Sequence, residues 1–281
     1  MDSILRHFES YLKQHALSPT TIRNYLADLR AFSRWHAARH PRAAAFATAD
    51  FRAYREHLCN ETEHSPATVN RRLQSLRLFG RFLHEKGHAA HNPTRDIERL
   101  RNGKANGAAP RTLTPAEITR LCDAISAGRP SLVERDQALV QLMLQAGLRV
   151  AEVAALRLRD LVTSSRHVIV EVRGNSHTAA RSVPFNAEAS RALRDYIAVR
   201  PAVPRVDHVF VSQRGQPLSI RSIQRVIDTH ARNAGLADVS AQSLRHTCAK
   251  SMLEQTQDTL QVAQWLGQRS TRGLGRYANK T

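Results

Sequence analysis

The dipeptide Ser-Pro occurs at Ser18-Pro19 and again at Ser65-Pro66, and each time it opens a long stretch whose apolar residues return at helical spacing. Serine caps the first turn by accepting a backbone N–H, and proline fits the first helical position, where no N–H partner is needed. The first stretch carries Ile22, Tyr25, Leu26, Leu29, Phe32 and Trp35 on one face. The second carries Val69, Leu73, Leu76, Phe79 and Leu83 and ends at Gly87. Between them the sequence predicts a shorter helix capped by Thr48, with Phe51, Tyr54 and Leu58 as its seam. Three helices that are each apolar on one side must bury those sides together, so residues 1–91 are expected to form a helical domain.

From residue 92 to 111 the composition shifts to Asn, Gly, Lys, Ala and Pro, with no apolar periodicity after Leu100. That pattern predicts a linker. A second domain, residues 112–281, begins with another helix start, Thr114-Pro115-Ala116-Glu117, in which threonine and glutamate can cap each other's backbone. Leu139, Leu142, Met143 and Ala146 form a buried stripe closed by Gly147. Residues 167–173 read as the clearest strand, through Val168, Ile169, Val170 and Val172, with residues 181–185 as its hairpin partner. The fold class expected is mainly α with a small antiparallel β-sheet, in two domains.

Near the end, Ser240 caps a helix on which Leu244, Cys248 and Met252 recur, and Gln242 and Arg245, three apart, are expected to share a face. Residues 258–266 form a further helix with Val262, Trp265 and Leu266 as its seam and Gly267 at its C-cap. The polar run 269–276 reads as mobile and delivers a single aromatic, Tyr277.

Charge narrows the class of partner. The 281 residues carry a formal net charge of +18, with a pI near 11.2. The two long helices place Arg23, Arg30 and Arg34 on one polar face and Arg71, Arg72, Arg77 and Arg81 on the other, with few acidic residues between them. Solvated charge is the ordinary explanation of such faces. At this density a phosphate-facing surface is favoured, and double-stranded DNA fits better than acidic lipid. Arg173 and Arg181, on either side of the hairpin turn, join the DNA-facing candidates. Cys59, Cys122 and Cys248 are scattered and odd in number, which points away from a disulfide framework or zinc ribbon and towards a reducing cytoplasm, with the protein on the nucleoid. No apolar run approaches eighteen residues and Met1-Asp2-Ser3 does not open a signal peptide, so no membrane association is expected.

Three pieces of the C-terminal third, in order, resemble the signature of the tyrosine recombinases, the phage-integrase and Xer-type family. Ser243-Leu244-Arg245-His246-Thr247-Cys248-Ala249-Lys250 is similar to the family's H-x-L-R-H-[TS]-x-A-[TK] run. Leu266-Gly267-Gln268 matches its L-G-H box, and Tyr277 stands nine positions beyond, where the family has its nucleophile. The segment AGLRVAEVAALRLRDL resembles the T-G-L-R-x-x-E-[LV]-x-x-L box, with Arg149 and Glu152 in register. The LSPTTIRNYLADLRAFSRW segment looks like the family's N-terminal core-binding domain, half of a clamp around DNA.

The resemblance implies that the Tyr277 hydroxyl attacks a DNA phosphodiester, leaving a 3′-phosphotyrosine and a free 5′ hydroxyl. The covalent link conserves the bond energy, so neither nucleotide cofactor nor metal is expected. Arg149 and Arg245 would hold the non-bridging oxygens, a task for planar, permanently charged forks. Three positions depart from the family. Gln242 stands where a histidine precedes the second arginine, Gln268 replaces the histidine or tryptophan of the L-G-H box, and Asn175 replaces the hairpin lysine of G-K-G-x-K-x-R-x-V-P, in a turn that reads one residue longer. These side chains donate hydrogen bonds but exchange no proton near neutral pH.

Two readings follow. In one, His177 on the lengthened turn replaces the lysine and a slow but active site-specific recombinase results. In the other, the chain is a degenerate accessory protein that binds recombination DNA while a partner recombinase cuts. Topoisomerase IB-like relaxation ranks behind both, because of the recombinase-like N-terminal segment. Family members often continue past the tyrosine into a helix docking on a neighbour; only Ala278-Asn279-Lys280-Thr281 follow here. A homotetramer or paired recombinase on synapsed DNA is expected, with weaker coupling between protomers.

Overall fold

The computed structural model describes residues 2–15, 17–41, 46–100, 110–164, 167–174, 178–275 and 277. The chain divides into two compact units, Met1–Asn106 and Gly107–Thr281.

The first unit contains α1 (Asp2–Gln14), α2 (Pro19–Arg39), α3 (Thr48–Asn60) and α4 (Pro66–Glu85). Both Ser-Pro starts act as their chemistry predicts. Ser18 Oγ accepts the Thr21 N–H at 3.1 Å, and Ser65 Oγ accepts that of Thr68 at 3.3 Å. The expected Thr48 cap is displaced by one residue: Thr48 is already helical, Ala47 is the N-cap, and the Asp50 carboxylate accepts the Ala47 N–H at 2.7 Å. Phe8, Phe32, Phe51, Phe79 and Phe82 are fully buried and fill the space between the helices. Their rings meet at short centroid distances, such as 4.9 Å for Phe32–Phe51 and 5.3 Å for Phe8–Phe79, so much of this core is aromatic.

The stretch assigned to the linker starts later than its composition suggests. Ile97 is buried with the helical core, and Asn70 clamps Leu100 through both backbone groups, donating to its O at 3.2 Å and accepting its N–H at 2.9 Å. Gly80 permits this return, since a Cβ there would stand 2.2 Å from Thr94 Oγ1. One isoleucine and a reciprocal amide pair dock the segment without any periodicity to read.

The second unit contains α5 (Pro115–Ser126), α6 (Val133–Gln145), α7 (Val150–Ala155), α8 (Ala187–Val199), α9 (Ile220–Asn233), α10 (Ala241–Thr256) and α11 (Thr259–Trp265). A three-stranded antiparallel sheet, in the order β1 (Leu161–Thr163), β2 (Val168–Val172), β3 (Arg181–Pro184), lies against them. Val170 stands opposite Leu161 on one side and Val183 on the other. The two-strand hairpin was legible; β1 adds a third strand too short to show a period. α6 is buried on nearly every side and packs against α8 and α10. Of its buried polar groups, Asp136 is matched by Arg135 Nε at 2.8 Å and His230 Nε2 at 2.9 Å, and Gln141 donates to Glu188 Oε1 at 2.8 Å.

A smaller apolar cluster joins Ala249, Leu253, Val262, Ala263, Leu266 and Leu274, with Tyr277 packed at its edge. This corrects the expectation of a mobile run before Tyr277. Leu274 is fully buried, a 3₁₀ turn spans Thr271–Gly273, and the Tyr277 N–H bonds Leu274 O at 2.9 Å. A single leucine among polar residues and glycines supplies the anchor. Among the described residues no helix is long and apolar enough to cross a membrane.

Candidate active site

The site is built around the C-terminal end of α11. The helix closes with the Gln268 N–H on Ala263 O at 2.8 Å and Gly267 at φ +61, a glycine-terminated cap. The carbonyls of residues 265–267 are left projecting beyond the last turn, where the helix end is electronegative. Three arginines take them. Arg181 Nε donates to Trp265 O at 2.7 Å, Arg245 donates to Leu266 O at 2.8 Å, and Arg149 donates to Leu266 O at 3.2 Å and Gly267 O at 3.3 Å. Arg245 also reaches Gly147 O. Both glycines are required by geometry: at positive φ, a Cβ on Gly147 would lie 2.6 Å from Leu266, and one on Gly267 would lie 2.5 Å from Arg181.

Glu152, in the first turn of α7, is the counter-charge. Its Oε1 accepts from Arg149 and Arg181 at 3.0 Å each; its Oε2 accepts from Arg181 at 3.0 Å and from the Arg149 N–H at 2.8 Å. Burial raises the Glu152 carboxyl, but the Arg181 hydrogen bonds, the Arg149 N–H and both guanidinium charges outweigh it and hold the group below the usual carboxylate range. Arg245 lies 4.0 Å from the same carboxylate and is 5% exposed. Its burial, then the neighbouring charge of Arg149, pushes it down to about 10. Glu152 alone faces the three guanidiniums of Arg149, Arg181 and Arg245, so positive charge is in excess around it, beneath a cleft lined also by Asp160, Glu171 and Arg173. Such a site gains from a bound anion.

Tyr277 points its hydroxyl at Nδ1 of His246, with ring centroids 5.5 Å apart. His246 follows Arg245 on α10, and its Nε2 is 3.2 Å from the Gln242 amide. Gln242 and Arg245, three apart on α10, differ in environment: Gln242 is exposed and 3.2 Å from His246, whereas Arg245 is buried. Gln268 is half-buried just beyond Gly267. Asn175 and His177 lie outside the described residues. Cys248 is buried and pushed up to about 12 by that burial, so it offers no thiolate.

The arginine faces divide. Arg23, Arg30, Arg34, Arg77 and Arg81 are exposed. Arg71 instead pairs with Asp28, and Arg72 Nε stands 3.9 Å from the same carboxylate, which is buried and also accepts Ser75 Oγ at 2.7 Å. Asp28 sits on the inner side of α2, so the charge pattern of the outer faces gave no sign of it. Arg173 is exposed and bonds Asp160 at 2.6 Å, whereas Arg181 is buried among the site arginines rather than on an outer surface.

Sequence reasoning gave no role to His246. Its signal was present: it is four residues from Gln242 and next to Arg245, within one helix. The carbonyl cradle of α11 had no signal, because backbone oxygens carry no residue identity.

Residues 111–281 match the phage integrase family, and residues 4–87 match the phage integrase N-terminal SAM-like domain. The chain is 31% identical to tyrosine recombinase XerC of Alcanivorax borkumensis over 95% of this chain and 84% of that one. It is also 31% identical to XerC of Myxococcus xanthus, over 100% of this chain and 94% of that one. Among solved structures, XerH recombinase bound to difH superposes with a TM-score of 0.75 at 17% identity, over 92% of this chain and 76% of that one. A lambda integrase dimer on a core site gives 0.75 at 16% identity, over 100% and 97%.

Proposed function

The chain belongs to the phage integrase family of tyrosine recombinases, and from that membership we propose how its site works on DNA. The protein is a site-specific DNA recombinase. Its substrate is double-stranded DNA, bound as a dimer or tetramer, as lambda integrase is a dimer on a core site and a tetramer on a Holliday junction. Residues 1–91 form a DNA-gripping helical domain, and residues 112–281 form the catalytic domain.

Arg149 and Arg245 donate to the two non-bridging oxygens of the scissile phosphate, where negative charge builds as phosphorus becomes five-coordinate. The Tyr277 oxygen attacks phosphorus, the bond to the 5′ oxygen breaks, and the phenol proton passes to His246 Nδ1. Gln242 Nε2 stands 3.2 Å from His246 Nε2; on DNA binding the amide turns over, so that its oxygen accepts Nε2–H and holds the tautomer whose Nδ1 is free to accept. His177 supplies the separate proton that the leaving 5′ oxygen takes up. Arg181 holds Glu152 and α11 in place and takes no part in the outer DNA surface.

The observation that supports this reading best is the Tyr277 hydroxyl on His246, one residue from an arginine that shares the Leu266 carbonyl with Arg149. It is tested with a suicide duplex nicked beside the cleavage position. A covalent protein–DNA adduct that maps to Tyr277 and vanishes in Tyr277→Phe is expected. Tight binding with no adduct favours the accessory-protein reading, which draws its support from Gln242 and Gln268 at proton-transfer positions.

A further inference from the structure

His36 and His40 stand one turn apart near the C-terminal end of α2, and Asp50 lies in the first turn of α3. The His36 Nε2 is 3.1 Å from Asp50 Oδ2, the His40 Nε2 is 3.4 Å from Asp50 Oδ1, and one ligand atom from each residue falls within 4.8 Å of the other two. No counterpart exists in the catalytic chemistry above. If this were only a histidine–carboxylate pair, the buried imidazole should hold an aligned hydrogen bond. It does not: His36 is 3% exposed, and its Nε2 has no hydrogen-bond partner even though it faces the carboxylate. The ring is fixed by aromatic neighbours, Phe46 edge-on at 4.8 Å and Phe32 at 6.1 Å. The carboxylate is oriented from behind by the Ala47 N–H on Oδ2 at 2.7 Å.

We propose that His36 Nε2, His40 Nε2 and Asp50 form a binding site for a zinc-class divalent ion. Two imidazoles and one carboxylate suit zinc or cobalt and disfavour magnesium and calcium, which take oxygen donors. Bonds of about 2.0–2.1 Å place tetrahedral ligand atoms roughly 3.4 Å apart. His40 is 49% exposed, so it can swing in by the remaining ångström or so and leave the fourth position to water. The ion clips the end of α2 to the start of α3, and α2 is the helix that carries Arg23, Arg30 and Arg34. The site is structural and does not depend on the recombinase reading.

The test uses the full chain stripped with a chelator and titrated with zinc chloride by calorimetry and equilibrium dialysis. His40→Gln is the informative variant, because His40 is half outside the core and its loss leaves the fold intact; His36→Asn is the second. Wild-type protein is expected to bind one equivalent more than His40→Gln, or to bind that equivalent at least tenfold more tightly, and its unfolding temperature should rise with zinc while that of the variant does not. Cobalt chloride should give the visible absorption of a four-coordinate N/O site in the wild type only. Equal zinc stoichiometry and affinity in wild type and both variants, or a zinc-independent unfolding temperature, overturns the proposal.

Discussion

Replacing Glu152 with glutamine probes the electrostatic centre of the site while keeping its shape. Each carboxylate oxygen now receives two donors, at 2.8–3.0 Å, from the Arg149 side chain and backbone and from Arg181. An amide keeps one of those oxygens. Whichever way it turns, two donors then face an NH₂ group in a place where the original side chain is only 9% exposed. The loss of one partner from a buried ion pair costs about 3–5 kcal/mol. For a unit of this size each kcal/mol moves the melting temperature by about 2–4 °C, so a drop of roughly 6–20 °C is expected in a calorimetric scan near neutral pH. The pH dependence must change with it. Because the folded carboxyl lies below its ordinary value near 4.5, its stabilisation is complete above that pH and is lost as pH falls through the lower folded value. Glu152→Gln should therefore show a flatter acid limb. It should also regain stability more steeply than wild type when DNA is added, since the site has gained a further unit of net positive charge. A melting temperature within about 2 °C of wild type, with an unchanged acid limb, would refute the assignment of Glu152 as the counter-charge that holds three arginines together.

His246→Ala should slow adduct formation on a nicked duplex by about 10²- to 10⁴-fold, with the remaining rate rising towards alkaline pH as hydroxide takes the phenol proton. Leu274→Ala removes the buried anchor of the segment before Tyr277, and a placement penalty of about 1.4 kcal/mol slows the adduct about tenfold; calorimetry should show a smaller loss than a central core leucine would give, because Leu274 belongs to the satellite cluster. Arg30→Ala with Arg34→Ala should lower the slope of log affinity against log salt by about 0.9 for each phosphate no longer neutralised, whereas Arg71→Ala, whose guanidinium is held by Asp28, should cost stability and leave the slope alone.

The parts of the fold that were legible are those in which backbone chemistry and side-chain period agree. Ser18-Pro19, Ser65-Pro66 and the Thr114–Glu117 box begin helices where they are read, and Gly147 and Gly267 end them at positive φ. What escaped reading depends on contacts distant in sequence. Asp28 engages the still exposed Arg71 across two helices, Asn70 ties down Leu100, and Leu274 secures a run that looks like loose chain. Site residues behaved in the same way. Arg149 and Arg245 were visible as motif positions, yet their convergence on one carbonyl oxygen needs α11 to end beneath them. The i,i+3 spacing of Gln242 and Arg245 did not show that the guanidinium is buried while the amide is exposed beside its i,i+4 partner His246.

In the proposed reaction two guanidiniums and one phenol act on a single phosphate. The most direct measurement is the structure of Tyr277→Phe bound to a duplex carrying the protein's own recombination site, recovered by selection from random sequence. Arg149 and Arg245 should both donate to the non-bridging oxygens of one phosphate, with the phenyl ring of position 277 beside its phosphorus and His246 next to the ring edge. Arginines resting on different phosphates, or a ring turned away from both, would contradict it.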